Sequence, residues 1–247
     1  REVDRMVVTF YRLKPDTEYK LELLNQADEC IDRISVYTKH EFVTLNVRDF
    51  GAKGDGITND TLFIQAAIQA CPRDSRVLIP KGNYKVTSLF LKSHINIEIE
   101  KEAHLLAETS RDEFPLFPGI IESYDEQKEL NLGTWEGNPL PMFTGIITGY
   151  DVEDVVLYGE GSIDGQASRE NWWYDEKKMR GAFRPRMLFL SHCRNVSVVG
   201  LSFCNSPAWT IHPYFSEYLK FYHVDIDNPM DSPNTDGVDP ESCEHVE

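Results

Sequence analysis

No stretch of the 247 residues approaches the run of about 20 apolar residues that a membrane-spanning helix needs. Positive charge is scarce: 25 Lys and Arg stand against 41 Asp and Glu, a formal charge of −16. Nucleic acid is therefore an improbable partner, because phosphate binding needs a concentrated positive surface. Solubility is the simplest account of the acidic excess. The five cysteines, Cys30, Cys71, Cys193, Cys204 and Cys243, are widely spread and none forms a C-x-x-C pair. Neither a zinc site nor a disulfide framework is indicated, and buried free thiols are expected. The first residues, Arg1-Glu2-Val3-Asp4, lack the charged start and apolar core of an export signal, so export is not recorded here.

Helical periodicity is rare as well. Asn59 or Asp60 is placed to cap one helix over 61–71, in which Ile64, Ala67, Ile68 and Cys71 share a face and Pro72 follows as a stop. The remainder reads as strands. In residues 1–40 three are expected, Met6–Tyr11, Tyr19–Leu24 and Ile34–Thr38. The run Leu13-Lys14-Pro15-Asp16-Thr17-Glu18-Tyr19 resembles the L-x-P-x-T-x-Y segment of fibronectin type III domains, where a tyrosine packs at a strand corner. That resemblance implies the last strands of such a β-sandwich.

From Thr44 the pattern changes to short strands without intervening helices, and Asn195–Phe203 superposes on Tyr218–Ile226. A repeat of about two dozen residues indicates a stacked solenoid, and short strands with Gly or Asn at corners suit a parallel β-helix. The fold class expected is all-β: a parallel β-helix over 44–247, with the helix at 61–71 as its N-terminal cap, preceded by part of a sandwich. Excursions at about 109–143 and 165–185 interrupt the stack and, at that length, suggest functional loops.

Chemistry concentrates in Asp231-Ser232-Pro233-Asn234-Thr235-Asp236-Gly237-Val238-Asp239-Pro240-Glu241-Ser242-Cys243. Asp, Asn, Pro and Gly are also turn formers, so a structural turn is one reading. Hydrolysis of a glycosidic bond is the other, since it asks for an acid and a base about 6.5–9.5 Å apart when water attacks directly. At strand spacing Asn234 and Asp236 fall on one side. A calcium loop fails, because Ser232 stands where the first ligand should be and Cys243 where the closing Glu should be. Gly51–Gly56 lacks the order of a phosphate-binding loop. Trp172 and Trp173 either stack on sugar rings or anchor their loop. Lys177, Lys178, Arg180, Arg184 and Arg186 form the basic cluster of an acidic chain, either solvated and structural or able to pair with a carboxylate.

Asn234-Thr235-Asp236-Gly237-Val238-Asp239 resembles the N-T-D-G-[hydrophobic]-D motif of glycoside hydrolase family 28, the polygalacturonases and their relatives. Asn46–Gly56, Arg184-Pro185-Arg186-Met187 and Asn205-Ser206-Pro207-Ala208-Trp209 resemble further family segments in the same order. The resemblance, over about 44–247, implies a right-handed parallel β-helix and inverting cleavage of α-galacturonide linkages without cofactor or metal. It makes Asp236 part of the general base, and Asn234, Asp239, Arg184, Arg186, His212, Trp172 and Trp173 candidates for substrate contact. Trp209 is expected as a floor residue, and Asp239 either lines a subsite or braces the turn. The substrate implied is a pectic polysaccharide or oligogalacturonide, the location secreted or periplasmic, and the long loops suggest exo action. The family's Asp-Asp pair, His-Gly and Arg-x-Lys motifs do not occur after Asp239, so these residues alone are expected to be inactive. A pectate lyase-type enzyme or a non-catalytic glycan-binding or adhesion β-helix are the rival readings.

Overall fold

The computed structural model describes residues 7–121 and 130–247. From Thr44 onward the chain winds through three parallel sheets. The longest holds seven strands, Thr44–Asn46, Ser75–Ile79, Ile95–Ile99, Glu153–Gly159, Arg194–Val199, Glu217–Tyr222 and Glu244–Val246. A second holds six, from Asp55–Asn59 to Asp225–Asp227. The third, shorter sheet holds Leu89–Phe90, Ile147–Tyr150, Leu188–Ser191 and Ile211–Tyr214. Strand order follows chain order in all three, so the chain advances one strand per sheet on each completed turn. Parallel crossovers of this kind are right-handed in nearly every protein.

Alternation explains the packing. Val155 and Leu157 point inward and stack on Val196 and Val198, one coil on, with Leu219 beyond Val196. The register Val196↔Leu219 and Phe203↔Ile226 is the one the repeat indicated. Where the short sheet passes into the long one, the corner repeats four times as Asp151–Asp154, His192–Asn195, Phe215–Tyr218 and Ser242–His245. The first and fourth residue of each adopts a left-handed φ between 45 and 57°. The second residues, Val152, Cys193, Ser216 and Cys243, form an inward column tied by Arg194 N–H to Val152 O, Glu217 N–H to Cys193 O and Glu244 N–H to Ser216 O. Ser216 Oγ accepts from Cys193 N–H at 2.9 Å, and the side chain is buried.

The helix forms over Thr61–Ala70 and buries Ile64, Ala67 and Ile68 in the common core. The Asp60 side chain does not cap it. Its carboxylate accepts instead from the backbone of Lys53 and Gly54 at 2.8 and 2.9 Å, while Asn59 Oδ1 accepts from Thr61 N–H. The glycine-rich loop is thus a turn fastened by Asp60, and a side chain on Gly54, at φ +61°, would meet the Tyr84 ring at 2.9 Å.

Three expectations need correction. Residues 7–11 form no strand, and Met6 lies outside the described residues; only the hairpin Glu18–Leu24 with Cys30–Tyr37 pairs there. The 109–143 excursion is no bare loop, but folds into short antiparallel pairs such as Leu116–Phe117 with Met142–Phe143 and Thr134–Trp135 with Asn138–Pro139. The cysteines are all free; Cys30 is exposed, against expectation, while Cys71 and Cys193 are buried.

Candidate active site

Residues 236–241 run beside Ile211–Tyr214 and extend the short sheet by one strand-like rung. Thr210 N–H and Ile211 N–H donate to Asp236 O and Gly237 O at 2.8 and 3.0 Å, and Asp239 N–H donates to Ile211 O at 2.9 Å. The bridges Ile211↔Val238 and Tyr214↔Glu241 fix the register. By that register Asp236 sits over Trp209 and Asp239 over His212. The Asp236 side chain is exposed, so a rigid backbone offers its carboxyl to solvent at the rim of the sheet.

The turn before it is held from one coil away. Arg184 donates to Pro207 O at 2.7 Å, to Pro233 O at 3.0 Å and to Asn234 Oδ1 at 2.7 Å. Asn234 has φ +55°, a left-handed conformation that Asn tolerates. It therefore lies in a turn, and the expected strand spacing with Asp236 does not apply. Asn228 bridges the same turn, donating to Thr210 Oγ1 and Thr235 O while accepting from Ser206 N–H.

Behind Asp236 lies a buried polar layer. His212 is fully buried, and its Nε2 lies 2.8 Å from Glu241 Oε2. Burial pushes the imidazole below its usual pKa, and the hydrogen bond from His212 holds the Glu241 carboxyl below the usual range. Asp239 is half-buried with Oδ2 lacking a hydrogen-bond partner. Desolvation, then the neighbouring Asp236 charge, raises its pKa to about 6. Arg186 is fully buried: it donates to Arg184 O and Thr134 O at 2.9 and 2.8 Å and lies 5.0 Å from the centroids of both Trp135 and Trp209. Burial lowers its pKa to about 9. Trp135 is stacked between Phe183 and Trp209, and Trp209 meets His212 edge-on at 4.8 Å.

Four expected substrate contacts are therefore not contacts in this structure. Arg186 and His212 have no surface to offer a sugar, because both are enclosed in the layer that supports the motif. Trp172 and Trp173 are buried as well, and they anchor the 165–185 excursion. Trp172 packs edge-on to Phe114 and Phe143, and Trp173 Nε1–H donates to Ser206 O at 3.1 Å. Arg184 is spent on Asn234 and two carbonyls. Asp236, Asn234 and Asp239 remain at or near the surface and in one place.

Sequence reasoning overlooked Glu241 and Trp135. Glu241 sat in the quoted motif two residues from Asp239, the spacing that puts both on one face of an extended strand; Trp135, in an aromatic excursion, gave no signal of its place. Between the 165–185 excursion and the Asn234 turn lies a cleft of about 170 Å³, lined by Arg111, Tyr174, Arg180, Arg184 and Asn234 among others. For metals, the cluster among the described residues is His94, Glu153 and Asp154. His94 meets Glu153 through Nε2 at 3.2 Å and Asp154 through Nδ1 at 3.0 Å. These are ion pairs on opposite sides of one ring, at the far end of the short sheet's strands from Asp236.

The fold and the site together define a parallel β-helix that presents an aspartate pair beside its short sheet, braced by buried Arg186 and His212 and partly buried Glu241. The sequence profile of Glycosyl hydrolases family 28 matches residues 71–247, and the chain belongs to that family. A probable polygalacturonase of Vitis vinifera is 30% identical over 203 residues, which are 79% of this chain and 39% of that protein. Among solved structures, a hyperthermoactive exopolygalacturonase of Thermotoga maritima superposes with a TM-score of 0.68 at 25% identity, over 82% of this chain and 50% of that one. A family 28 exopolygalacturonase of Yersinia enterocolitica shares the fold, with a TM-score of 0.72 at 22% identity over 95% of this chain and 48% of that one. The chain spans roughly two fifths of the length of the curated relatives it matches at greatest extent.

Proposed function

We propose that these residues are part of a hydrolase that cleaves α-galacturonide linkages of pectin or polygalacturonate, with inversion, and that Asp236 serves on the general-base side. The observation that carries this is the exposed carboxyl of Asp236, fixed by backbone bonds to Thr210 and Ile211 and flanked by Asp239 and the Arg184-held Asn234. Asp236 would orient and deprotonate the attacking water, Asn234 would hold the sugar or the water, and Asp239 would brace the turn beneath them. Arg184 would position Asn234.

The 130–143 ribbon packs on the outer face of the short sheet, where Met142 clusters with Phe189 and Tyr214, and the 165–185 excursion rises beside Asn234. Both would close one end of the groove, which favours exo action on oligogalacturonides; the two exopolygalacturonase folds named above are consistent with it. Mixed internal fragments at the earliest times of polygalacturonate digestion would rule exo action out. The helix Thr61–Ala70 would cap the first coil. Lys14 N–H donates to Tyr19 Oη at 2.8 Å, a backbone-to-tyrosine bond that supports a fibronectin type III-like origin for residues 1–40. Pectin is too large to enter a cell, so a secreted or periplasmic location goes with this reading.

The test is Asp236→Asn in a chain of family length, followed by reducing-sugar release from polygalacturonate. Turnover should fall by about 10²–10⁴ with folding intact, the loss expected for a general base. Turnover within a few-fold of the unaltered enzyme refutes the role.

A further inference from the structure

We propose that the cleft between Arg111, Arg180, Arg184 and Asn234 is a carboxylate-recognising subsite that takes one uronate unit at the end of the chain being cut. The identity of the ligand as a uronate rests on the hydrolase reading above; the anion preference rests on the cleft itself. Three guanidinium groups line this one cavity in a molecule of formal charge −16. Two of them lack a carboxylate partner among the described residues. Arg184, nearly buried, donates to two carbonyls and the Asn234 amide oxygen. Arg111, half-buried, lies 4.7 Å from the Trp172 ring and reaches only the carbonyls of Asn171 and Trp172, at 3.3–3.4 Å.

Withdrawing a cation from water is costly unless an anion compensates it, and neutral carbonyls compensate only in part. The guanidinium groups also act on one another: after desolvation, Arg180 lowers the pKa of Arg111, and Arg111 lowers that of Arg184 against the larger opposing charge of Glu176. The excursion also carries two acidic side chains, Asp175 and Glu176, and both are already paired with cations. Asp175 pairs with Lys178 at 2.7 Å and Arg180 at 3.6 Å, and Glu176 with Arg169 at 3.6 Å. Asp175 and Glu176 thus line the cleft too, but Arg111, Lys177, Lys178, Arg180 and Arg184 outnumber them and leave the lining with an excess of positive charge. A carboxylate entering it would offset that cost and would find Arg180 suited to two-point pairing. Tyr174, 56% exposed with Arg180 4.5 Å from its ring centroid, supplies an aromatic wall for the C–H face of the same sugar. A cavity of about 170 Å³ has room for one pyranose and little more.

The experiment titrates the 247-residue chain with D-galacturonate and, separately, with D-galactose, following tryptophan and backbone signals by NMR. Galacturonate should bind at least about tenfold more tightly than galactose, because only it carries the anion, with shifts at Tyr174, Arg180 and Asn234. Arg180→Gln, a change at a partly exposed side chain, should abolish that preference. Arg111→Gln should do the same, but its contacts to the loop backbone make Arg180→Gln the decisive variant. Equal binding of the two sugars, shifts elsewhere on the surface, or an unchanged preference in Arg180→Gln would overturn the proposal. It fails separately from the hydrolase reading. Selective binding without polygalacturonate hydrolysis by the family-length chain sinks the latter alone, and hydrolysis without selective binding sinks the subsite alone.

Discussion

A carboxyl half withdrawn from water beside a second carboxyl keeps its proton longer than the same group in an unfolded chain. For Asp239 the folded pKa is about 6 against an ordinary 3.8. Below the lower value both states are protonated and folding carries no penalty. As pH rises between the two, the unfolded chain ionises first, and above about pH 6 the native state bears the full cost. A shift of this size corresponds to at most about 3 kcal/mol, and partial solvent access reduces it to roughly 1–2 kcal/mol. Asp239→Asn, which keeps the shape and removes the charge, should therefore raise stability near neutral pH by about that amount. The gain should vanish near pH 3.5. Urea midpoints of both proteins at the two pH values check this; a gain that persists in acid would mean that repulsion from Asp236 and burial are not its origin. Loss of the favourable Arg186 contact works against the gain, but desolvation is the larger influence.

At the scale of the coil, stability depends on the corner between the short and long sheets. Its left-handed residues are Asp, His, Asn, Phe, Tyr and Ser, so no single residue type marks it in the sequence. Only Asn and Asp are recognised occupants of that conformation, which is why the superposition of Asn195 on Tyr218 exposed the repeat while the corner itself went unread. The column of small buried side chains also explains Cys193 and Cys243 as corner residues rather than as redox groups. Ser216 is the member that does more than fill space, because its hydroxyl accepts from Cys193 N–H and donates to Tyr214 O at 3.0 Å. Ser216→Ala should leave a buried N–H unpaired and cost about 1–3 kcal/mol, or several degrees of melting temperature. Thermal melts read this directly; a shift under about one degree would show that water or backbone movement replaces the hydroxyl. The coil strands themselves were legible, since inward Val, Ile and Leu alternate along them. What was not legible was enclosure. Arg186, His212, Trp172 and Trp173 belong to residue types that serve equally in a groove or beneath it, and the 130–143 ribbon, whose Thr134 and Trp135 enclose Arg186, lies more than forty residues upstream of it in the chain.

A solenoid distributes its stability by neighbours, since each coil is held mainly by the coils on either side. Central coils, such as those carrying Glu153–Gly159 and Arg194–Val199, have a paired strand on each side in the long sheet. Glu244–Val246 and Asp225–Asp227 are end strands of their sheets, with one partner each. The hairpin Glu18–Leu24 with Cys30–Tyr37 is more isolated still. Every residue of its second strand is exposed, and the segment before it meets the solenoid through Thr9 Oγ1 and Val7 O to His223 at 2.7 and 2.6 Å and through Tyr11 beside Gly200. Two strands with only a partly covered face, here Tyr19 and Leu21 toward Val199 and Tyr222, are marginal in water. Amide exchange should therefore follow a gradient, with slowest exchange at Val155–Leu157 and Val196–Val198, intermediate exchange at Leu219–Phe221, and exchange near the unprotected rate for Cys30–Tyr37. A brief protease digest should cut within residues 24–44 before it cuts any coil. Uniform protection across hairpin and solenoid would mean that the hairpin is held by forces beyond its own ladder and the His223 contacts. Asp236 and Asp239 lie on the rung that pairs with Ile211–Tyr214. Their geometry depends on the layer behind them, buried Arg186 and His212 with partly buried Glu241.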